Sequence, residues 1–173
     1  MELLRKLLKP DAAMMPVLVV LASAITLAIA HGFEYIGGFR PCALCLEQRA
    51  AYWTAIGFGI VAAALYRQDT MKETMMPRLL IAGMTLALGY GAWLAGFHTG
   101  VEQGWWEGPA SCTSTGVRSL EDMLKDTAGD IVMCDEVPWA LFGISIAGYN
   151  FFIALSLTLY AAVGFVRALP KRL

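Results

Sequence analysis

Four stretches of the chain run long enough without a charged side chain to form membrane-length helices. The first is residues 12–30, AAMMPVLVVLASAITLAIA. As a helix rising about 1.5 Å per residue it reaches about 28 Å, close to the ~30 Å hydrocarbon thickness of a bilayer. Three more runs occupy 50–66, 79–97 and 137–166. The last exceeds one span, so its hydrocarbon part is placed at about 143–166, with Pro138 and Trp139 at the interface. The pattern predicts an all-α, polytopic membrane protein: a four-helix bundle in a single integral membrane domain over 1–173, with connecting loops at 31–48 and 98–136. A signal peptide is the competing reading of the first run, because Arg5, Lys6 and Lys9 precede it and Ala28-Ile29-Ala30 resembles a cleavage site. An apolar stretch of this length exceeds the usual ~7–15 residues of such peptides, which favours a retained span.

Composition agrees with the pattern. Apolar residues make up 58% of the chain and charged ones 16%, against roughly 45–50% and about 25% in soluble domains. A formal net charge of −1 gives no reason to expect a nucleic-acid partner.

The basic residues orient the bundle. Arg5, Lys6 and Lys9, then Arg67, Lys72 and Arg78, then Arg167, Lys171 and Arg172 all fall on one side. The positive-inside rule makes that side cytoplasmic, together with both termini. The 98–136 loop on the other side carries eight acidic residues against Arg118 and Lys125, and is read as an exported acidic loop. Within it, Ser119 and the acids that follow read as the start of a short helix, with Leu120, Met123 and Leu124 on one face and Gly129 at its end. Trp105 and Trp106 beside it fit either a segment resting on the membrane surface or plain interfacial anchors.

All four cysteines fall on the exported side, where disulfides persist. Cys42 and Cys45 form a CxxC that opens the second apolar run, with Pro41 at or just before the first helical position. Free N–H groups and the positive helix end favour a thiolate there, and Arg49, one turn after Cys45, adds a cation. That arginine either meets an anionic partner or snorkels to headgroups. Cys112 and Cys134 lie 22 residues apart in the acidic loop. A disulfide between them is readable as a structural staple worth roughly 3 kcal/mol in chain entropy. A four-thiolate metal site lacks the second short spacing it needs, and Leu46 stands where haem attachment requires histidine. No metal is expected.

These residues resemble a known family. The segment from Pro41 to Arg49 (PCALCLEQR) at the exported mouth of the second span, four spans, and a second cysteine pair in a long loop before the fourth are similar to the DsbB family of disulfide-bond-formation proteins. The resemblance implies a protein dithiol:quinone oxidoreductase of the bacterial inner membrane. Such an enzyme reoxidises a periplasmic thioredoxin-fold partner of the DsbA type and passes electrons to a membrane quinone, ubiquinone or menaquinone. It implies that Cys112–Cys134 is the disulfide attacked by the partner, with Cys112 forming the mixed disulfide and Cys134 passing electrons toward Cys42–Cys45. Cys45 matches the thiolate that contacts the quinone ring, and Arg49 the supporting cation. A DsbA-type partner is itself strongly oxidising, at about −120 mV, so a still better acceptor is required.

Quinone reduction consumes two protons. His98, at the exported end of the third span, is a candidate donor or an interfacial histidine, and Glu102 four residues on is placed to pair with it. Glu47 reads as a solvated carboxylate rather than a base. Gly83, Gly89, Gly91 and Gly96 permit close helix approach or leave room for a flat ring, and Asn150 is expected to hydrogen-bond between helices. The competing readings are a vitamin K epoxide reductase-like enzyme, in which the order of the two cysteine pairs is usually reversed, and a non-catalytic membrane scaffold with structural disulfides.

Overall fold

The computed structural model describes residues 14–68, 74–110, 112–113 and 132–168. Four helices account for most of them: α1 (Met14–Tyr35), α2 (Ala43–Tyr66), α3 (Met75–Glu102) and α4 (Ile146–Ala168). A two-stranded antiparallel hairpin, β1 (Ala140–Leu141) and β2 (Ile144–Ser145), leads into α4, pairing Ala140 with Ser145 and Leu141 with Ile144. The fold is the expected all-α membrane bundle. The short helix expected between Ser119 and Gly129 lies outside the described residues.

α3 is the organising element, packed along both α2 and α4, while α2 also packs on α1 and α1 meets α4 only sparsely. Glycine sets these distances. A Cβ on Gly91 would stand 3.1 Å from that of Ala51 on α2, and one on Gly96 would stand 3.1 Å from the Phe151 ring on α4. The small residues of the third span therefore serve close packing. Met15, Val19 and Leu27 of α1, Tyr52 and Ala55 of α2, Ile81, Met84 and Leu88 of α3, and Ala154 and Ala161 of α4 fill the centre. Leu21, Ile25, Trp53, Leu86 and Leu159 point outward, as a bundle bathed in lipid requires.

Helices α1, α3 and α4 each have the length and hydropathy to cross a membrane. α2 is 24 residues long but begins with Glu47, Gln48 and Arg49 in its first two turns, which lowers its mean hydropathy. Several helix boundaries differ from the sequence pattern. α1 continues to Tyr35 and α2 starts at Ala43, so the first loop shrinks to 36–42. α3 continues to Glu102, which puts His98 and Glu102 on a helix rather than in a loop. The fourth helix starts at Ile146, not near 143, because Gly143 (φ 78°) and Phe142 (φ 51°) form the tight hairpin turn. Positive φ at both central residues is what a two-residue hairpin demands.

A Cβ on Gly59 would come within 2.5 Å of Val20 Cγ2 and 3.1 Å of Met84 Sδ, whereas one on Gly57 meets nothing. Thermal unfolding in detergent micelles should therefore show Gly59→Ala destabilising the bundle by about 1–3 kcal/mol, and Gly57→Ala neutral or slightly stabilising.

Candidate active site

Cys42 caps α2. Its backbone is extended (φ −77°, ψ 173°), its sulfur accepts the Cys45 backbone N–H at 3.3 Å, and its carbonyl accepts the Leu46 N–H at 3.1 Å. Pro41, one residue before the cap, cannot extend the helix backward. One turn on, the Cys45 sulfur stands 2.9 Å from that of Cys42, within hydrogen-bond reach. The pair is reduced.

These contacts split the two thiols. The hydrogen bond from the Cys45 thiol, helped by the amides of Cys45 and Leu44, outweighs burial and lowers the Cys42 pKa below the ordinary thiol range. Cys45, donating to that sulfur and partly desolvated, is pushed upward. The first proton lost from the dithiol therefore leaves its negative charge on the capping sulfur, where free N–H groups converge.

Cys112 and Cys134 are joined in a disulfide, with Cα atoms 5.3 Å apart. Both are buried, Cys134 completely. They share one cluster with Cys42, Leu44, Leu94 and Val101, against which Cys45, Phe97 and Val132 pack. Two cysteine pairs 67 residues apart or more thus meet at one end of the bundle, as thiol–disulfide exchange between them would need.

His98 stands among them. It is 3% exposed; Nε2 faces the Cys42 sulfur at 3.6 Å and a Glu102 carboxylate oxygen at 3.9 Å. The Cys134 carbonyl also faces the ring. Glu102 is held from β2 by the Ser145 hydroxyl, which donates to it. On the other edge of the ring, Nδ1 lies 3.1 Å from Gln48 Nε2. Gln48 Oε1 accepts from Asn150 Nδ2 at 2.6 Å, and Asn150 Oδ1 accepts from the Tyr52 hydroxyl at 2.7 Å. Asn150 thus makes interhelical hydrogen bonds.

Arg49 has an anionic partner. Its guanidinium is paired with Glu34 of α1 and donates to the Ala30 carbonyl at 3.3 Å. Glu47 is exposed, as a solvated carboxylate should be. The buried polar residue of this turn is its neighbour, Gln48.

A cavity of about 340 Å³ opens beside the cysteines, within the range of small-molecule sites. Cys42, Cys45, Arg49 and His98 line its head, and α1 (Leu27, Ile29, Phe33) and α4 (Ile146, Ile153) form its flanks. Its walls are largely apolar, and it lies where α1 and α4 barely touch. A flat, lipid-soluble ring with polar carbonyls would fit these walls: apolar flanks for its faces, and the arginine N–H groups for an oxygen. The sulfurs of Cys42 and Cys45 and the His98 nitrogen also lie within 4.8 Å of one another. That trio has soft-metal donors, but forming the Cys42–Cys45 disulfide would remove two of them.

The family model of disulfide bond formation protein DsbB matches residues 12–164. The chain belongs to the DsbB family. Among curated relatives, disulfide bond formation protein B of Stutzerimonas stutzeri is 30% identical over 78% of this chain and 82% of its own length. The protein of the same name from Polaromonas sp. is 28% identical over 90% and 91%, and that from Hahella chejuensis 28% over 85% and 89%. No solved structure matches the chain at significance. Membership of the DsbB family makes this chain a membrane oxidoreductase of disulfide bond formation, and sets aside the vitamin K epoxide reductase-like and scaffold readings.

Sequence reasoning singled out all four cysteines, Arg49 and His98, and the structure brings Cys42, Cys45, Arg49 and His98 to one cavity with the loop disulfide packed behind. It passed over Gln48, Tyr52 and Glu34. A buried amide followed one turn later by tyrosine on an otherwise apolar helix was the available signal for the first two.

Ultraviolet titration of thiolate absorbance should show the reduced pair losing its first proton below the ordinary thiol range. In Cys45→Ala, Cys42 keeps its burial but loses its strongest donor, so its titration should move upward. An unchanged midpoint in that variant would contradict the hydrogen-bond origin of the shift.

Proposed function

We propose that this protein is a dithiol:quinone oxidoreductase of the bacterial inner membrane, its whole chain forming one membrane domain. Both termini are cytoplasmic and the cysteines face the periplasm. Its thiol substrate is a DsbA-like thioredoxin-fold protein, and its electron acceptor is ubiquinone or menaquinone. The observation that carries this reading is the position of the CxxC: one side lines the apolar cavity, and the other packs against the loop disulfide.

The sulfur chemistry balances in four exchanges. A thiolate of the reduced partner attacks Cys112, forming a mixed disulfide and releasing Cys134. The partner's second thiol then displaces Cys112, so the partner leaves oxidised and the loop pair holds two electrons. The Cys134 thiolate attacks Cys42 of the oxidised CxxC and expels Cys45 as a thiolate facing the cavity; Cys112 closes on Cys134 and frees Cys42. A quinone bound in the cavity supplies the sink for two electrons and two protons, and the CxxC returns to its disulfide.

Burial favours attack at Cys42, which lies in the cluster with Cys134, and leaves Cys45, half-exposed on the cavity side, as the departing sulfur. The Cys45 amide and the His98 ring stabilise a thiolate at Cys42 as it departs in the last exchange. Arg49, held by Glu34, contributes a fixed N–H fork to the cavity head without an uncompensated charge in the bilayer.

The test is anaerobic mixing of purified protein with a reduced thioredoxin-fold partner and a soluble quinone, following thiol loss. Each of Cys42→Ala, Cys45→Ala, Cys112→Ala and Cys134→Ala should bring turnover to background. Cys112→Ala should still let quinone oxidise its CxxC at close to the wild-type rate. Failure of that oxidation would overturn the order of the relay, and partner oxidation without quinone under these conditions would overturn the reaction.

A further inference from the structure

The exchanges above leave three polar side chains without a part: Gln48 and Tyr52, both buried, and the half-buried Asn150. We propose that Tyr52, Asn150 and Gln48 form a hydrogen-bond chain with one allowed direction, which holds His98 neutral with its proton on Nε2, facing Cys42. This inference rests on the reading of His98 as a group serving the sulfur pair.

Two directions satisfy the middle of the chain equally. In one, the Tyr52 hydroxyl donates to Asn150 Oδ1 (2.7 Å), Asn150 Nδ2 donates to Gln48 Oε1 (2.6 Å), and Gln48 Nε2 donates to His98 Nδ1 (3.1 Å). In the other, both amides turn over and every bond reverses, so that Nδ1 must carry the proton. The ends break the tie. Tyr52 is 3% exposed, and its hydroxyl meets no polar group besides Asn150 among the described residues. Reversal would make the tyrosine oxygen an acceptor and leave its own proton without one, in an apolar wall. At the far end, Nε2 faces the Cys42 sulfur at 3.6 Å and the Glu102 carboxylate at 3.9 Å, and the Cys45 sulfur and the Cys134 carbonyl also lie against the ring. Reversal in the neutral ring would turn the Nε2 lone pair on a thiolate.

The direction has a chemical consequence. With Gln48 donating into Nδ1, that nitrogen takes up a proton only if both amides turn and the tyrosine proton is stranded. His98 is thereby kept as a neutral N–H donor to the Cys42 thiolate and is a poor shuttle for the protons that quinone reduction consumes. Tyr52, Asn150 and Gln48 are positioning residues, acting on the sulfur only through the imidazole.

The chain contains two histidines, His31 and His98, so nitrogen NMR of ¹⁵N-histidine-labelled, reduced protein in micelles reads the ring directly, with His31→Gln giving the assignment. The measurement needs neither quinone nor partner. Near neutral pH, His98 should show a protonated Nε2 and an unprotonated Nδ1. In Tyr52→Phe, which removes the directing proton, a second population protonated at Nδ1 should appear. An imidazolium or Nδ1–H ring in the wild type would overturn the proposal whether or not the variant folds, and so would a folded Tyr52→Phe with an unchanged spectrum. A wild-type Nε2–H ring in an enzyme that fails to use quinone would uphold the chain's direction and sink the proposed reaction instead.

Discussion

The contact on which the rest of this structure turns is that between the Cys42 sulfur and the His98 ring. It joins the first turn of α2 to the last turns of α3, two elements 56 residues apart in sequence. A thiolate and an imidazole are both expensive to bury unless paired. Here each satisfies the other, and the surrounding polar groups satisfy what remains: the Cys45 thiol and amide on the sulfur, Gln48 and Glu102 on the ring. Placed at the rim of an apolar bundle, this contact defines at once a charged sulfur, a cavity head and the floor under the loop disulfide.

The bundle holds that contact in register through close packing. α3 carries glycine where it crosses Ala51 and where it crosses Phe151, so its backbone lies near both neighbours and His98 is carried to the cap of α2. α1 arrives on the other side of α2, pairing Glu34 with Arg49. α4 brings Asn150 against Gln48 and Tyr52. Each helix therefore donates one polar link at the same end of the bundle, while its other turns are plain core or lipid-facing surface. The sparse meeting of α1 and α4 leaves the gap that the cavity occupies, so access from the bilayer follows from the topology.

Much of this was legible in the sequence, for identifiable reasons. Uncharged runs of span length report helices directly, because the bilayer admits few other solutions. The CxxC after Pro41 announces a capped, activated sulfur. The loop pair could be read only as two cysteines with an open choice between staple and relay, since spacing says nothing of what lies beneath a loop; the structure shows the CxxC beneath it. Helix ends were less legible. Charges at Glu34 and Glu102 read as loop, yet both lie on helices because Arg49 and the His98–Ser145 pair receive them. Gly143 was counted into an apolar run although its positive φ makes it a turn. Gln48 was overlooked because an amide beside a glutamate and an arginine looks like surface, and only helical phase turns it inward.

Electron flow from the loop to the cavity requires the two sulfur pairs to meet in one cluster, as they do here. A protein in which Cys45 and Cys112 are both serine retains only Cys42 and Cys134. On mild oxidation it should form an intramolecular Cys42–Cys134 disulfide, seen as a single cross-linked peptide by non-reducing mass spectrometry. Two free thiols that persist in folded protein would show that the pairs do not meet, and would contradict the account at its centre.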